Sequence, residues 1–226
     1  MMRVSLRESR MVLERLVQVA RVPDGLVASV RDCALYSAAL GLGGFDQLEE
    51  NLAALNAGNL SRLRLKDEIT LDAGGLHAWL VVELAVDLAV ASARAAGSGQ
   101  VHVGNVLCAD ELGVATGFAV RHGFVARLER RPGEWTSLTL EAAAARDAAL
   151  LDGIRREGLP VAAKLWWHLY HASAAALAPD TVSSRRHAGP IIVTEDGKVI
   201  GRQDDDETDF SLLTSDARVP QPTSAS

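Results

Sequence analysis

Cysteine is scarce: the chain holds two, Cys33 and Cys108. That excludes a disulfide framework and a cysteine-ligated structural zinc site. Basic residues are outnumbered, 23 Lys and Arg against 29 Asp and Glu. Nucleic-acid binding needs a basic stripe, and none is visible. The densest basic run, Arg127–Arg131, is interrupted by Glu129 and reads as a solvated strand end. Long uncharged apolar runs are also missing. The most apolar segment, Leu76–Ala96, carries Glu83, Asp87 and Arg94, and two acids near the middle of a membrane helix would be costly. Neither nucleic acid nor membrane is therefore expected as a partner. The opening residues, MMRVSLRESR, carry charge from the third position and lack an apolar signal core, so a cytoplasmic location is expected. There is no P-loop and no Gly-x-Gly-x-x-Gly after a strand, hence no expected classical nucleotide site. His168 and His171 share a helix but would need a ligand from elsewhere to hold a metal, and no metal site is expected.

What is present describes a globular protein. Of 226 residues, 48% are hydrophobic, enough to build a core. Helices open the chain. Ser5-x-x-Glu8 is a capping box that starts a helix at about Leu6, which must stop before Pro23. Asp24 caps a second helix, which the glycines of Gly41–Gly44 end. Asp46-x-x-Glu49 resembles a second box and predicts a third helix from Gln47 to about Leu55. The segment Leu71–Leu128 carries the fold class. A short strand (Ile69–Leu71) meets a Gly-Gly turn and a long apolar helix. The strand Val101–Val106, another helix ending near His122, and the strand Phe124–Leu128 follow.

This strand–helix–strand–helix–strand order predicts an α/β fold, with α+β as the alternative. In the long helix, Glu83 and Asp87 share one face and read as its exposed edge. Beyond Arg131–Trp135, a turn, come a short strand at Thr136–Leu140 and helices over Ala142–Glu157 and Val161–Leu177. The aromatic stretch WWHLY of the last helix is expected to pack on the sheet. Asp196-Gly197 predicts a β-hairpin. The expected organisation is one domain over residues 1–213 (helical layer 1–60, α/β unit 61–140, helices and hairpin 141–213) with a flexible tail, 214–226.

Two resemblances bear on function. Asp72 after a strand, the helix end Ser92-Ala93-Arg94-Ala95-Ala96-Gly97, and Asn105 and Gly113 in VHVGNVLCADELG resemble the malate/L-lactate dehydrogenase family that does not use a Rossmann fold. The family's histidine in this strand falls at Cys108. The histidine of its Gly-x-Asp-Ser-His-Gly turn falls at Phe45, within Gly41-Leu42-Gly43-Gly44-Phe45-Asp46. Reduction of a carbonyl needs a proton donor beside the new alkoxide, and phenylalanine cannot supply one. The family's nicotinamide-binding motifs are missing as well. The resemblance covers roughly the first 130 residues. It implies shared fold elements and a dimeric habit without the dehydrogenase chemistry. The C-terminal part resembles a bacterial family of unassigned function. It shares the Met2-Arg3-Val4-Ser5-Leu6 start, the helix with Leu165-Trp166, and a Pro-x-[ST]-x-x-Ser-Arg motif, here Pro179–Arg185, followed by small residues and an acidic end at Asp204–Asp206.

The candidate site residues are few. Ser183, Ser184, Arg185 and His187 form the densest reactive cluster, and arginine's planar fork suits a carboxylate or phosphate. The same stretch also reads as a structural loop paired with Asp204–Asp206. Asn105 joins the ligand-binding candidates through the matched strand. Cys108 is the catalytic candidate, with His102 or Asp110 near it; it also reads as a small residue closing a strand. The chain is thus expected to be a non-dehydrogenase relative that binds a small carboxylate-bearing molecule. It would act as an accessory subunit in metabolism, as a homodimer or as a heteromer with a full-length relative, and without a cofactor. The alternatives are an enzyme of altered chemistry on such a molecule, or a reductase of 2-oxo acids or cyclic imines that uses NAD or NADP and another proton donor.

Overall fold

In a computed structural model of the protein, residues 1–130, 135–143, 150–177, 191–193 and 199–201 are described. The chain divides into two compact units, Met1–Leu177 and Ala178–Ser226. The single span 1–213 expected from sequence runs across that division. In the second unit, β-strands Ile191–Val193 and Val199–Gly201 pair antiparallel with Ile192 opposite Ile200, the hairpin expected around Asp196-Gly197. The turn residues and the tail lie outside the described residues.

The first unit is an α/β fold. After strand β1 (Met2–Val4), α1 (Leu6–Val19) begins where the capping box predicts. The Ser5 hydroxyl accepts from the Glu8 amide at 3.2 Å, and the Glu8 carboxylate accepts from the Ser5 amide at 3.2 Å. Val12, Leu13, Leu16 and Val17 form its buried stripe.

The next two expected caps differ. Helix α2 (Asp24–Leu40) has Pro23 at its cap position, with Asp24 already inside the first turn. There the carboxylate still complements the helix dipole. Helix α3 (Leu48–Asn56) has Gln47 as its cap residue, without a side-chain bond. A backbone turn, Gln47 N to Gly43 O at 3.1 Å, already leads the chain in.

A five-stranded sheet follows, made of β2 (Arg64–Leu65), β3 (Thr70–His77), β4 (Gly99–Leu107), β5 (Phe124–Arg130) and β6 (Thr136–Ala142). Its order is β2-β3-β4-β6-β5. Strands β3 and β4 are parallel, and the other neighbours are antiparallel. Gly74-Gly75, expected to turn the chain, lies inside β3. Both glycines adopt positive φ, and the ladder slips between Asp72 and Leu76. A β-bulge thus absorbs the glycines, because pairing with β4 resumes at Leu76 opposite Val106. The close approach also requires Gly74, since a Cβ there would lie 2.5 Å from the Arg62 carbonyl oxygen.

Helices α4 (Val82–Ala96) and α5 (Ala115–Arg121) pack on one face of the sheet. There Val82, Ala85 and Val86 bury Val101, Val103, Leu138 and Leu140. The strand residues between these, His102 and Thr139, are less buried, the alternation of a sheet covered on one side. Asp87 stands on the exposed edge of α4, and His122 caps α5 before Gly123, as read from sequence.

Helix α6 is described over Leu150–Glu157; Ala142, where that helix was expected to start, ends β6, and residues 144–149 lie outside the described residues. Strand β7 (Leu159–Val161) pairs with β1, and α7 (Ala163–Ser173) begins two residues later than expected. Pro160 is tolerated in that ladder because a two-stranded pair is all edge. The aromatic helix α7 packs against α1, not on the sheet. Trp166 and Leu169 are buried, while Trp167 and Tyr170 stay exposed.

Candidate functional site

Four buried polar side chains, Ser37, Asn51, His77 and Glu111, gather around the GLGGFD turn and the end of β3. Helix α2 stops at Gly41 in the left-handed conformation, and the Leu42 amide returns to the Ser37 carbonyl at 3.0 Å. Gly44 is also left-handed, and a Cβ on it would sit 2.9 Å from the Ala38 Cα. Only glycine meets both conditions.

The turn closes on Glu111, a buried carboxylate 3% exposed. Its Oε1 accepts from the Ser37 hydroxyl at 3.0 Å and from the Gly43 amide at 2.9 Å. Its Oε2 accepts from Trp79 Nε1 at 2.9 Å, and the Ser37 oxygen accepts in turn from the Gly44 amide at 2.8 Å. Neutral donors from α2, the turn and the end of β3 thus hold one carboxylate. Buried charge needs such bonds, and losing any of them would be costly.

His77, fully buried at the end of β3, has both ring nitrogens engaged. Nδ1 accepts from the Trp79 amide at 3.1 Å. In the neutral ring the proton is therefore on Nε2, which donates to Asn51 Oδ1 at 3.1 Å. Burial pushes the His77 pKa down to about 4.

Two cavities flank the turn. One of about 460 Å³ is lined by Arg3, Ala38, Ala39, Gly41, Glu157 and Pro160 among others. The other, about 410 Å³, is lined by Gly41, Leu42, Gly43, Gly44, Phe45 and Asp46 with Pro160. They share Ala38, Gly41 and Pro160, so they are two lobes of one cleft between the end of α2 and β7. Phe45, at the position matched to a histidine, lines the second lobe and is 6% exposed. Its ring meets Trp166 edge-on, with centroids 6.0 Å apart. Arg3 supplies the cation of the first lobe. Its Nη1 donates to the Glu157 carbonyl at 3.1 Å, and it faces the Glu157 carboxylate at 3.8 Å.

Of the residues predicted from sequence, Asn105 and Cys108 can be placed, and neither lines this cleft. Asn105 is left-handed at φ 51, and its Nδ2 donates to Asp72 Oδ1 at 3.2 Å. Lys66 at 2.9 Å, the Gly74 amide and Asn105 together hold the Asp72 carboxyl below its ordinary range, Lys66 having the largest effect. Two of the residues matched to the dehydrogenase family, Asp72 and Asn105, are therefore brought together.

Cys108 is exposed and left-handed just past β4. Partial burial, then Glu111, Glu50 and Asp110, push its thiol up, the opposite of nucleophile activation. The two bases considered for it are engaged elsewhere. His102 Nδ1 pairs with Ser137 Oγ at 2.9 Å, and Asp110 accepts from Arg130. Cys33 is fully buried, and burial pushes its thiol well above the ordinary value. His168 meets Glu49 at 2.7 Å while His171 stacks on Trp167, so these two imidazoles diverge. Among the described residues no cluster of three metal-ligating side chains occurs. Ser183, Ser184, Arg185 and His187 lie outside the described residues.

Sequence reasoning passed over Glu111, His77 and Arg3. The signal for Glu111 was an acidic residue between Cys108 and Leu112 on a segment otherwise reading as a buried connection. Nothing local marked Arg3.

No family model matches the chain. No curated protein matches it either. Solved structures similar to it include two malate dehydrogenases. The enzyme from Entamoeba histolytica is 11% identical with a TM-score of 0.42, over 76% of this chain and 62% of that one. The enzyme from Pyrococcus horikoshii OT3 is 14% identical with a TM-score of 0.45, over 77% of this chain and 66% of that one. The chain thus spans less than two thirds of the length of either enzyme. Among the described residues no helix is long and apolar enough to cross a membrane.

Proposed function

We propose that this chain binds a small carboxylate-bearing molecule in the cleft beside the GLGGFD turn, and that it binds without catalysing a dehydrogenase reaction. The observation that carries the reading is Phe45. A phenyl ring packed on Trp166 forms the cleft wall where a proton donor would be needed. The cleft has a small-molecule size, and Arg3 keeps guanidinium donors beyond the Nη1 bonded to the Glu157 and Gly158 carbonyls. Calorimetric titration with pyruvate and succinate tests it. Saturable binding is expected, weakened about tenfold in Arg3→Gln, the loss of one charged hydrogen bond. Binding that is equal in Arg3→Gln would move the site elsewhere. Substantial reduction of 2-oxo acids or cyclic imines with either nicotinamide cofactor would overturn the non-catalytic reading.

The cluster Ser183, Ser184, Arg185 and His187 is a separate proposal, an anion-binding segment of its own that rests on its chemistry alone. Arg185→Ala should then reduce the thermal stabilisation by carboxylates. An unchanged response would mark the segment as a structural loop. We further propose that the chain works as a homodimer, or as a heteromer with a full-length relative. Leu84 is 40% exposed and stands with half-buried Leu88 on the outer face of α4, which supports an assembly surface.

A further inference from the structure

On the other side of α2 from the GLGGFD turn's carboxylate network, three arginines from three helices converge on one carboxylate. Asp32 of α2 is 5% exposed. Its Oδ1 accepts from Arg31 Nε at 2.9 Å, and its Oδ2 accepts from Arg121 Nη2 of α5 at 2.5 Å. Arg10 of α1 brings its Nε to 3.9 Å from the same Oδ1, beyond hydrogen-bond reach. That Nε is buried and has no acceptor among the described residues. Neighbouring acceptors serve the other two guanidiniums. Glu14 accepts from Arg31 Nη1 at 2.7 Å, and the Tyr36 hydroxyl accepts from Arg121 Nε at 2.6 Å.

Three guanidiniums against two carboxylates leave one unit of positive charge in a chain whose net charge is -6. Like charges held this close repel, and a buried donor without a partner is costly. The arrangement is nevertheless held in place. The Arg121 guanidinium lies 5.0 Å from the Tyr36 ring centre and 4.8 Å from that of Phe118. It is also open to solvent, the side chains of Arg10 and Arg121 being 34% and 33% exposed.

We infer that Arg10, Arg31 and Arg121 form the rim of a binding site for a phosphate-type oxyanion. A tetrahedral oxyanion offers several oxygens at once to forks arriving from separate helices, whereas a carboxylate offers two. Bound there, it meets the exposed parts of the Arg10 and Arg121 side chains and offsets the surplus charge. The site is separate from the cleft that holds Arg3, so the two stand or fall independently.

The test is a titration of the full chain with inorganic phosphate at constant ionic strength, which removes general screening as a cause. Saturable binding is expected, with acetate binding at least about tenfold more weakly, the worth of one charged hydrogen bond. Arg10→Gln should weaken phosphate binding by about the same factor. Arg7→Gln, which removes the same charge from an exposed position on the same helix, should leave it unchanged. Should Arg10→Gln fail to fold, the Arg10 Nε–H resonance of the parent protein is followed instead, and it should shift with phosphate to saturation. Absence of saturable binding, equal binding of acetate, or equal losses in Arg7→Gln and Arg10→Gln would overturn the assignment. So would an Arg10 resonance that does not move.

Discussion

His77 is a neutral imidazole with both ring nitrogens hydrogen-bonded, and its burial makes it a pH liability. The unfolded chain protonates this ring as pH falls through about 6.5, while the folded chain resists until about 4. The unfolded state therefore binds more protons over that window, and stability falls as pH falls through it. Burial of this ring is worth about 3 kcal/mol of such loss between neutral pH and about 4. Denaturant unfolding at successive pH values should show the decline, and His77→Gln should flatten it. Glu111→Gln replaces one acceptor oxygen with a donor that must face either Trp79 Nε1 or the Ser37 and Gly43 donors. A loss of about 1–3 kcal/mol in unfolding free energy is expected. Glu157→Gln removes the negative charge beside Arg3, so carboxylate affinity in calorimetry should rise; no rise would place the ligand away from Arg3. At this scale the sequence was legible for residue types and not for partners. Asn105 and Asp72 were matched and do meet. Glu111 finds Ser37 and Trp79 only because three distant segments converge.

Elements were legible where their signals are local. The Ser5–Glu8 box is complete within four residues, and the structure starts α1 where it predicts. Ser5→Ala should cost about 1 kcal/mol of stability, read by thermal or chemical unfolding. Glycines were less legible, because a left-handed residue serves a turn, a cap or a bulge alike. Gly74-Gly75 reads as a turn in isolation, yet pairing with β4 on both sides makes it a bulge. Gly44→Ala would place a methyl group against Ala38 at positive φ, and a cost of about 1–3 kcal/mol is expected. The same variant should weaken carboxylate binding in the cleft, since the turn forms its wall. Unchanged stability would show that the turn relaxes freely.

At the scale of the molecule, the α/β class follows from the alternation of strand and helix patterns across residues 69–130. The strand order does not. Strand β6 inserts between β4 and β5, so sequence neighbours are separated in the sheet. Light scattering over a wide concentration range should give twice the chain mass or more, and Leu84→Glu should lower it. A strictly monomeric parent would reject homodimerisation.

The sequence by itself determined the local events: the first helix cap, the end of α2 at Gly41, the amphipathic stripes and the alternation of the strands. Each is decided by residues within about one turn or one strand of each other, where backbone geometry and hydrogen-bond supply act directly. The tertiary structure decided which glycine pair became a bulge, that WWHLY packs on α1 and not on the sheet, and which buried polar groups found partners. Those outcomes depend on close packing between segments far apart in the chain, and a local pattern carries no record of what will arrive opposite it.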